Sequence, residues 1–157
     1  PVYASFGGMA ASGGYYIGAA ARKIFSNRGT LTGSIGVIMQ FVDLSKLYEF
    51  VKVSPEVIKA GRYKDIGQTA RSMTDEEKGL LGNLLAGVHK QFMEDILKRR
   101  KEKIKGNIND LAQGQIFSGE EAFRYGLVDE LAGLYEAGRK KGKIKSKGGK
   151  YCKIRCS

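Results

Sequence analysis

Short apolar runs alternate with segments of helical spacing along the first half of the chain. The run over residues 1–6 is typical of a buried strand, and small residues after it lead into a helix predicted from about residue 13 to 21. In chain order, the other elements predicted before residue 60 are a strand at residues 23–26, a turn at 27–29, a strand at 36–42, a helix at 44–50 and a strand around 53–58.

Two capping boxes predict where later helices begin. Thr74 followed three positions later by Glu77 indicates the start of a long helix that continues to about residue 103. We expect its highly charged end, residues 98–103, to project into solvent. Ser118 and Glu121 form the second box, for a helix that ends near Gly126. Strands that alternate with helices indicate an α/β fold.

The net charge of +11 comes mostly from the end of the chain. Residues 139–157 contain nine basic residues and no acidic one, which leaves 18 basic against 16 acidic residues in the rest of the chain. This distribution argues against a nucleic-acid-binding module, since such a module needs basic residues together with aromatics on one folded face. We therefore expect one domain over residues 1–137 and a basic tail over 138–157, disordered or loosely attached rather than a specific binding arm.

Metal and membrane signals are weak in this sequence. Cys152 and Cys156 are expected to be free thiols, because two thiols alone cannot complete a zinc site and the tail offers little structure for a disulfide. The sequence therefore predicts no metal and no cofactor. No apolar run is long enough to span a bilayer.

Ser12 is the first candidate for catalysis, because it lies among small residues between the predicted strand and helix. A sharp strand-to-helix turn exposes one side chain, and the helix directs free N–H groups towards charge that develops there. The N–H of Gly13 could then act as an oxyanion donor. A packing contact of small residues at the same junction is the alternative interpretation.

A serine nucleophile needs a base, and the usual base occurs once, as His89. His89 lies in the predicted long helix, where a half-exposed surface position is expected, so a Ser/His/Asp triad is not indicated. A lysine that loses its proton more easily on burial is the other option. Lys64 lies in a short loop bounded by Gly61 and Gly67, where one lysine can turn inward, although spacing alone does not select it.

Five motifs in the same order carry a resemblance to the signal peptide peptidase A family, also called protease IV. The motifs lie at residues 9–16, 31–38, 61–65, 71–77 and 126–129, and the resemblance covers residues 1 to about 137. It implies Ser12 as nucleophile, Lys64 as general base and Ser34 as a hydroxyl that orients the lysine. A turn serine that satisfies its own backbone is the alternative for Ser34.

The resemblance also implies a crotonase-like fold, shared with the Clp protease subunit, and acyl-enzyme hydrolysis of signal peptides or other membrane-associated peptides without metal or cofactor. It further implies a homo-oligomer with an N-terminal membrane anchor and an extracytoplasmic catalytic domain. We expect this chain to begin inside that domain, without the upstream glycine pair that supplies the second oxyanion donor, and to be a poor enzyme by itself. A catalytically inactive crotonase-like scaffold is the alternative function.

Overall fold

The computed structural model describes residues 1–140, and within them it contains six strands and six helices. The predicted α/β class is confirmed, whereas both cysteines and nearly all of the predicted tail lie outside the described residues. The strands are β1 (Tyr3–Phe6), β2 (Met9–Ala11), β3 (Lys23–Ser26), β4 (Leu31–Gly33), β5 (Ile116–Ser118) and β6 (Glu130–Leu131). The helices are α1 (Gly13–Ala19), α2 (Ser45–Phe50), α3 (Asp75–Arg100), α4 (Ile108–Leu111), α5 (Gly119–Arg124) and α6 (Leu134–Lys140).

The chain forms two compact units. Among the described residues, one consists of residues 1–36 together with residues 89–140, and the other consists of residues 37–88. The first unit contains two sheets, one with the order β1-β3-β6 and the other with the order β2-β4-β5. β1, β3 and β6 pair in parallel, as do β2 and β4, while β5 is antiparallel to β4. Parallel pairing places the carboxyl ends of β2 and β4 at the same sheet edge.

The core of the first unit lies between these strands, α1 and the second half of α3. Ala4 and Phe6 alternate inward on β1, and Tyr15 of α1 is fully buried beside them. Phe92 and Ile96 of α3 belong to the same cluster, as the apolar spacing of the long helix predicts. This core fixes the position of α1 and so of the residue that precedes it, Ser12.

The predicted strands at residues 36–42 and 53–58 are wrong, because both segments lack regular structure. Gly33 and Ser34 have φ values of 79° and 49°, which turn the chain out of the sheet directly after β4. An apolar run becomes a strand only where a neighbouring strand satisfies its backbone groups, and residues 37–88 contain no strand. The sequence analysis did not identify β2 and β4 as strands, since each is only three residues long.

Helix α3 begins at its predicted capping box but does not end as predicted. The Glu77 N–H donates to Thr74 Oγ1 at 3.2 Å, and the Thr74 N–H donates to Glu77 Oε2 at 2.9 Å. The helix ends at Arg100, whose side chain is 1% exposed instead of projecting into solvent. Its guanidinium donates to Asp129 Oδ2 and to the Gly126 carbonyl, both at 3.0 Å. At the charged end of the helix, Arg100 is therefore buried and attaches the helix to Asp129 and Gly126.

Candidate active site

Ser12 occupies the sharp turn between β2 and α1. Its backbone has φ 50° and ψ −117°, a conformation that residues with a Cβ rarely adopt. Its N–H donates to the Gly33 carbonyl at 2.8 Å, which continues the pairing of β2 with β4 by one residue. Although Ser12 is the N-cap of α1, its side chain makes no capping hydrogen bond. The hydroxyl therefore lies in a strained turn, and it does not stabilise the helix by a capping hydrogen bond.

Ser34 lies at the equivalent place on the neighbouring strand. The register pairs Ala11 with Gly33, so Ser12 and Ser34 each follow directly after paired residues at the same edge. The Ser34 N–H donates to the Gln115 carbonyl at 2.8 Å, and its φ of 49° also lies in the left-handed region. The structure therefore brings Ser12 and Ser34 to one edge of the sheet.

Gly33 is required at this edge for steric reasons. A Cβ built on Gly33 would lie 2.6 Å from Cδ2 of Phe117 and 3.1 Å from the Gln115 carbonyl oxygen, and its φ is positive. Thr32, one residue earlier, is fully buried and donates its hydroxyl to the Ala10 carbonyl at 2.7 Å. These contacts hold β4 against β2 and fix the positions of both serines.

Gly13 begins α1 directly after Ser12. The N–H groups in the first turn of a helix have no acceptor within the helix, and their dipoles favour nearby negative charge. No atom lies within 4 Å of a Cβ built on Gly13, so the space beside its backbone is open. This geometry is compatible with the predicted oxyanion donor.

Tyr15 anchors the same helix in the core. Its hydroxyl donates to the Leu127 carbonyl at 2.9 Å, and burial raises the pKa of the Tyr15 phenol, so it stays protonated. A Cβ on Gly18 would lie 2.4 Å from the Phe6 ring, which shows how closely α1 packs on β1. The helix that follows Ser12 is therefore held in place by this hydrogen bond and by close packing on β1.

Lys64 belongs to the second unit, in a loop of consecutive turns between Gly61 and Gly67. Both glycines have positive φ, at 104° and 78°, and a Cβ on Gly67 would lie 2.2 Å from the Phe41 ring. The Lys64 side chain is exposed within this structure, whereas the sequence analysis expected it to turn inward. Its role as a base stays a prediction.

Arg71 connects the Lys64 loop to the start of α3. It forms a two-pronged ion pair with Asp65, with both nitrogen–oxygen distances at 3.0 Å, and a second one with Glu77. Hydrogen bonds from Arg71 and Lys59 hold the pKa of Asp65 well below its ordinary value, and those from Arg71 and Thr74 lower the pKa of Glu77 to about 2. Sequence reasoning missed this cluster, because side chains six positions apart meet in neither a helix nor a strand.

His89 is half-buried, and its Nε2 lies 2.7 Å from the Ala112 carbonyl oxygen. That contact agrees with the predicted helix-surface position rather than with a catalytic one. Among residues 1–140, no group of three or more His, Cys, Asp or Glu side chains could hold a metal ion.

Comparison with known proteins identifies related sequences over most of the chain. A family model described as peptidase family S49 matches residues 1–146. A Synechocystis protein provisionally named a protease is 42% identical over 130 residues, which cover 83% of this chain and 47% of that protein. An Enterococcus faecium protein provisionally named signal peptide peptidase SppA is 35% identical, over 83% of this chain and 38% of its own length.

A third relative is the chloroplastic serine protease SPPA of Arabidopsis thaliana, which is 36% identical over 87% of this chain and 20% of its own length. The chain thus spans less than half of the length of each of these relatives. The match to the family model, over residues 1–146, covers both sheets and the loop that contains Lys64.

Proposed function

The chain belongs to peptidase family S49, and from this premise we propose that it is the catalytic part of a serine endopeptidase with Ser12 as nucleophile and Lys64 as general base. One observation carries the proposal. Ser12 is held with φ 50° at a strand-to-helix turn, and its hydroxyl does not cap the helix. Backbone strain of this kind persists where the surroundings enforce it, and it clusters at active sites.

The proposed chemistry is acyl transfer. Neutral Lys64 takes the proton of the Ser12 hydroxyl as its oxygen attacks a peptide carbonyl, and the same proton then passes to the leaving amine. The N–H of Gly13 stabilises the negative oxygen of the tetrahedral intermediate. Water then attacks the acyl-enzyme and regenerates Ser12. In this scheme the Ser34 hydroxyl accepts a hydrogen bond from Lys64 and orients it.

The proposed substrates are signal peptides or other membrane-associated peptides, cleaved at the extracytoplasmic face of the membrane. The name of the Enterococcus relative and the motifs shared with its family support this choice. Within residues 1–140, no helix combines the length and the apolar character needed to cross a bilayer. Attachment of the intact protein to a membrane is part of the proposal.

We also propose that the protein acts as a homo-oligomer. In the second unit, large apolar side chains are exposed without a partner in the monomer, among them Ile38 at 84%, Phe50 at 83% and Ile58 at 101%. Large apolar surfaces of this kind mark sites of protein association. Contact with further copies of the chain would remove them from water.

The assignment of Ser12 can be tested with a phosphonate reagent that labels activated serines. We expect the intact protein to be labelled and to hydrolyse a peptide library, and Ser12→Ala to lose both properties while its thermal unfolding is nearly unchanged. Ser5→Ala, a change of a half-buried serine on β1, is the matched control and should behave as the wild type. Labelling or turnover that persists in Ser12→Ala would exclude Ser12, whereas an unlabelled wild-type protein would indicate the inactive scaffold.

A further inference from the structure

The side chain of Arg71 uses all of its hydrogen-bonding capacity within the second unit. A guanidinium has five N–H donors. Nε and Nη2 donate to the two oxygens of Asp65, while Nη1 and Nη2 donate to the two oxygens of Glu77. The remaining Nη1 donor reaches the Ser72 carbonyl at 3.2 Å. Arg71 therefore joins two carboxylates that are nearly inaccessible to water, with side-chain exposures of 8% and 5%.

Asp65 is fully engaged by partners other than its neighbour Lys64. Besides Arg71, Lys59 Nζ donates to Asp65 Oδ1 at 2.5 Å, and the Gln68 side chain donates to Oδ2 at 3.4 Å. Lys59 also donates to the Arg62 carbonyl at 3.1 Å, which closes the loop on both sides of Lys64. Asp65, the residue next to Lys64 in sequence, thus already forms ion pairs with two other cations, Lys59 and Arg71.

Lys64 itself has no ion-pair partner among the described residues. Among the described residues, the side chains of Glu49 and Glu56 in the same unit form no ion pair or hydrogen bond, whereas the four other carboxylates of the unit besides Asp65 are engaged. They pair as follows: Asp43 with Ser45 and Ser72, Asp75 with Lys78, Glu76 with Arg62 and Tyr63, and Glu77 with Arg71. Besides Lys64, the basic residues of this unit are Lys46, Lys52, Lys59, Arg62, Arg71 and Lys78.

We propose that Arg71 is a positioning residue for the general base, because it withholds the Asp65 carboxylate from Lys64. A carboxylate beside an ammonium stabilises the charged form, and a lysine must be neutral to accept a proton. Arg71 also ties the loop to α3 through Glu77, so the position of Lys64 and its lack of a counterion have the same origin. This inference rests on the proposed function of Lys64.

The test is the pH dependence of kcat/KM in the intact protein. In Arg71→Gln the Asp65 carboxylate keeps Lys59 on Oδ1 but loses the cation on Oδ2, which can then pair with Lys64, so we expect the rising limb of the profile to move up by about one pH unit. At pH values below the rising limb, kcat/KM of Arg71→Gln should be on the order of tenfold lower than that of the wild type. On the plateau at high pH, the two proteins should have nearly the same kcat/KM. Adding Asp65→Asn to Arg71→Gln removes the freed carboxylate and should return the limb towards its wild-type position.

Arg28→Gln is the matched control, because Arg28 forms an exposed ion pair with Glu120 in the first unit. It should leave the profile unchanged. An equal loss of activity at every pH in Arg71→Gln, without restoration by Asp65→Asn, would show a merely structural role and overturn the inference. An unmoved profile would overturn it as well.

Arg71→Lys covers the case in which Arg71→Gln does not fold, as judged by thermal unfolding. One ammonium cannot occupy both carboxylates, so a smaller shift in the same direction is expected, and its absence contradicts the inference. Lys64→Ala separates the two levels of the proposal. If this variant is inactive and the Arg71 variants do not shift the profile, only the role of Arg71 fails. If it is active, both the role of Arg71 and the function of Lys64 fail.

Discussion

At the scale of single residues, positive φ angles mark the edge where β2 and β4 end. Ser12, Gly33 and Ser34 all lie in this region of backbone space. For a residue with a Cβ, such a conformation costs on the order of 1–3 kcal/mol and persists only where surrounding contacts enforce it. Here the contacts are backbone hydrogen bonds from Ser12 to Gly33 and from Ser34 to Gln115. Local strain is therefore concentrated on the two proposed site serines.

Gly33→Ala should destabilise the protein, because the added Cβ meets the Phe117 ring and φ is positive. We expect a loss of more than about 1 kcal/mol in the free energy of unfolding, measured by urea denaturation. Gly29→Ala is the control, since nothing lies within 4 Å of its Cβ and its φ is ordinary. Equal stability of both variants would contradict the steric role of Gly33.

Lys64→Arg should be as inactive as Lys64→Ala, because a guanidinium does not release its proton at working pH. In the wild type, the activity should rise with pH as Lys64 becomes neutral. Steady-state kinetics across the pH range measures both effects. Lys59→Arg is the control, since Lys59 is expected to act through its ion pair with Asp65 and not as a base. Residual activity in Lys64→Arg would indicate another base.

At the scale of elements, the C-terminal turn of α3 is attached to the sheet by a buried charge network. Asp129 Oδ2 accepts from Arg100 at 3.0 Å and from the Ile24 N–H of β3 at 2.8 Å, and Oδ1 pairs with Lys103 at 2.8 Å. Burial raises the pKa of Asp129, but the hydrogen bonds from Arg100, Lys103 and Ile24 outweigh this effect and hold the pKa below its ordinary value. One carboxylate thereby connects α3 with β3.

Asp129→Asn should cost on the order of 3–5 kcal/mol of unfolding free energy at pH 7, because it leaves the buried Arg100 without its counter-ion. Since the folded-state pKa of Asp129 is depressed, its contribution is present above the unfolded pKa and is lost as the pH falls below about 4. Urea denaturation at pH 7 and pH 3 should therefore show a smaller difference between variant and wild type at pH 3. Glu120→Gln, at an exposed pair with Arg28, should change the stability little at either pH.

At the scale of the whole molecule, the two proposed catalytic residues belong to different compact units. Ser12 lies in the unit that contains both sheets, and Lys64 lies in residues 37–88. The second unit exposes most of its large apolar side chains and has no fully buried apolar residue of its own. This surface composition supports the proposed assembly, in which neighbouring copies cover residues 37–88.

If the active sites of a homo-oligomer combine serine and lysine from different copies, mixing Ser12→Ala with Lys64→Ala protomers should restore part of the activity. Each mixed oligomer would then contain some sites with both residues intact. Peptide hydrolysis by mixed oligomers, with their composition confirmed by mass spectrometry, measures this outcome. Each variant alone should stay inactive, and the absence of complementation in confirmed mixtures would place both residues in one protomer.

Local patterns by themselves determined several elements and the candidate residues. Strand β3 and the start of α3 agree with the sequence analysis, and the two capping boxes close hydrogen bonds between residues only three positions apart. Such features need no distant partner, so the order of residues is sufficient to predict them. The motifs around Ser12 and Lys64 likewise identified the family without a structure.

Only the tertiary structure decided which distant groups meet. The pairing of β2 with β4 brings Ser34 beside Ser12 across 22 residues of sequence, and it leaves the apolar residues 36–42 without a strand partner. Arg100 is buried because Asp129 lies 29 residues away in the chain but in contact in space. The energy of an ion pair or of a strand pair depends on the partner, and no local pattern contains that partner.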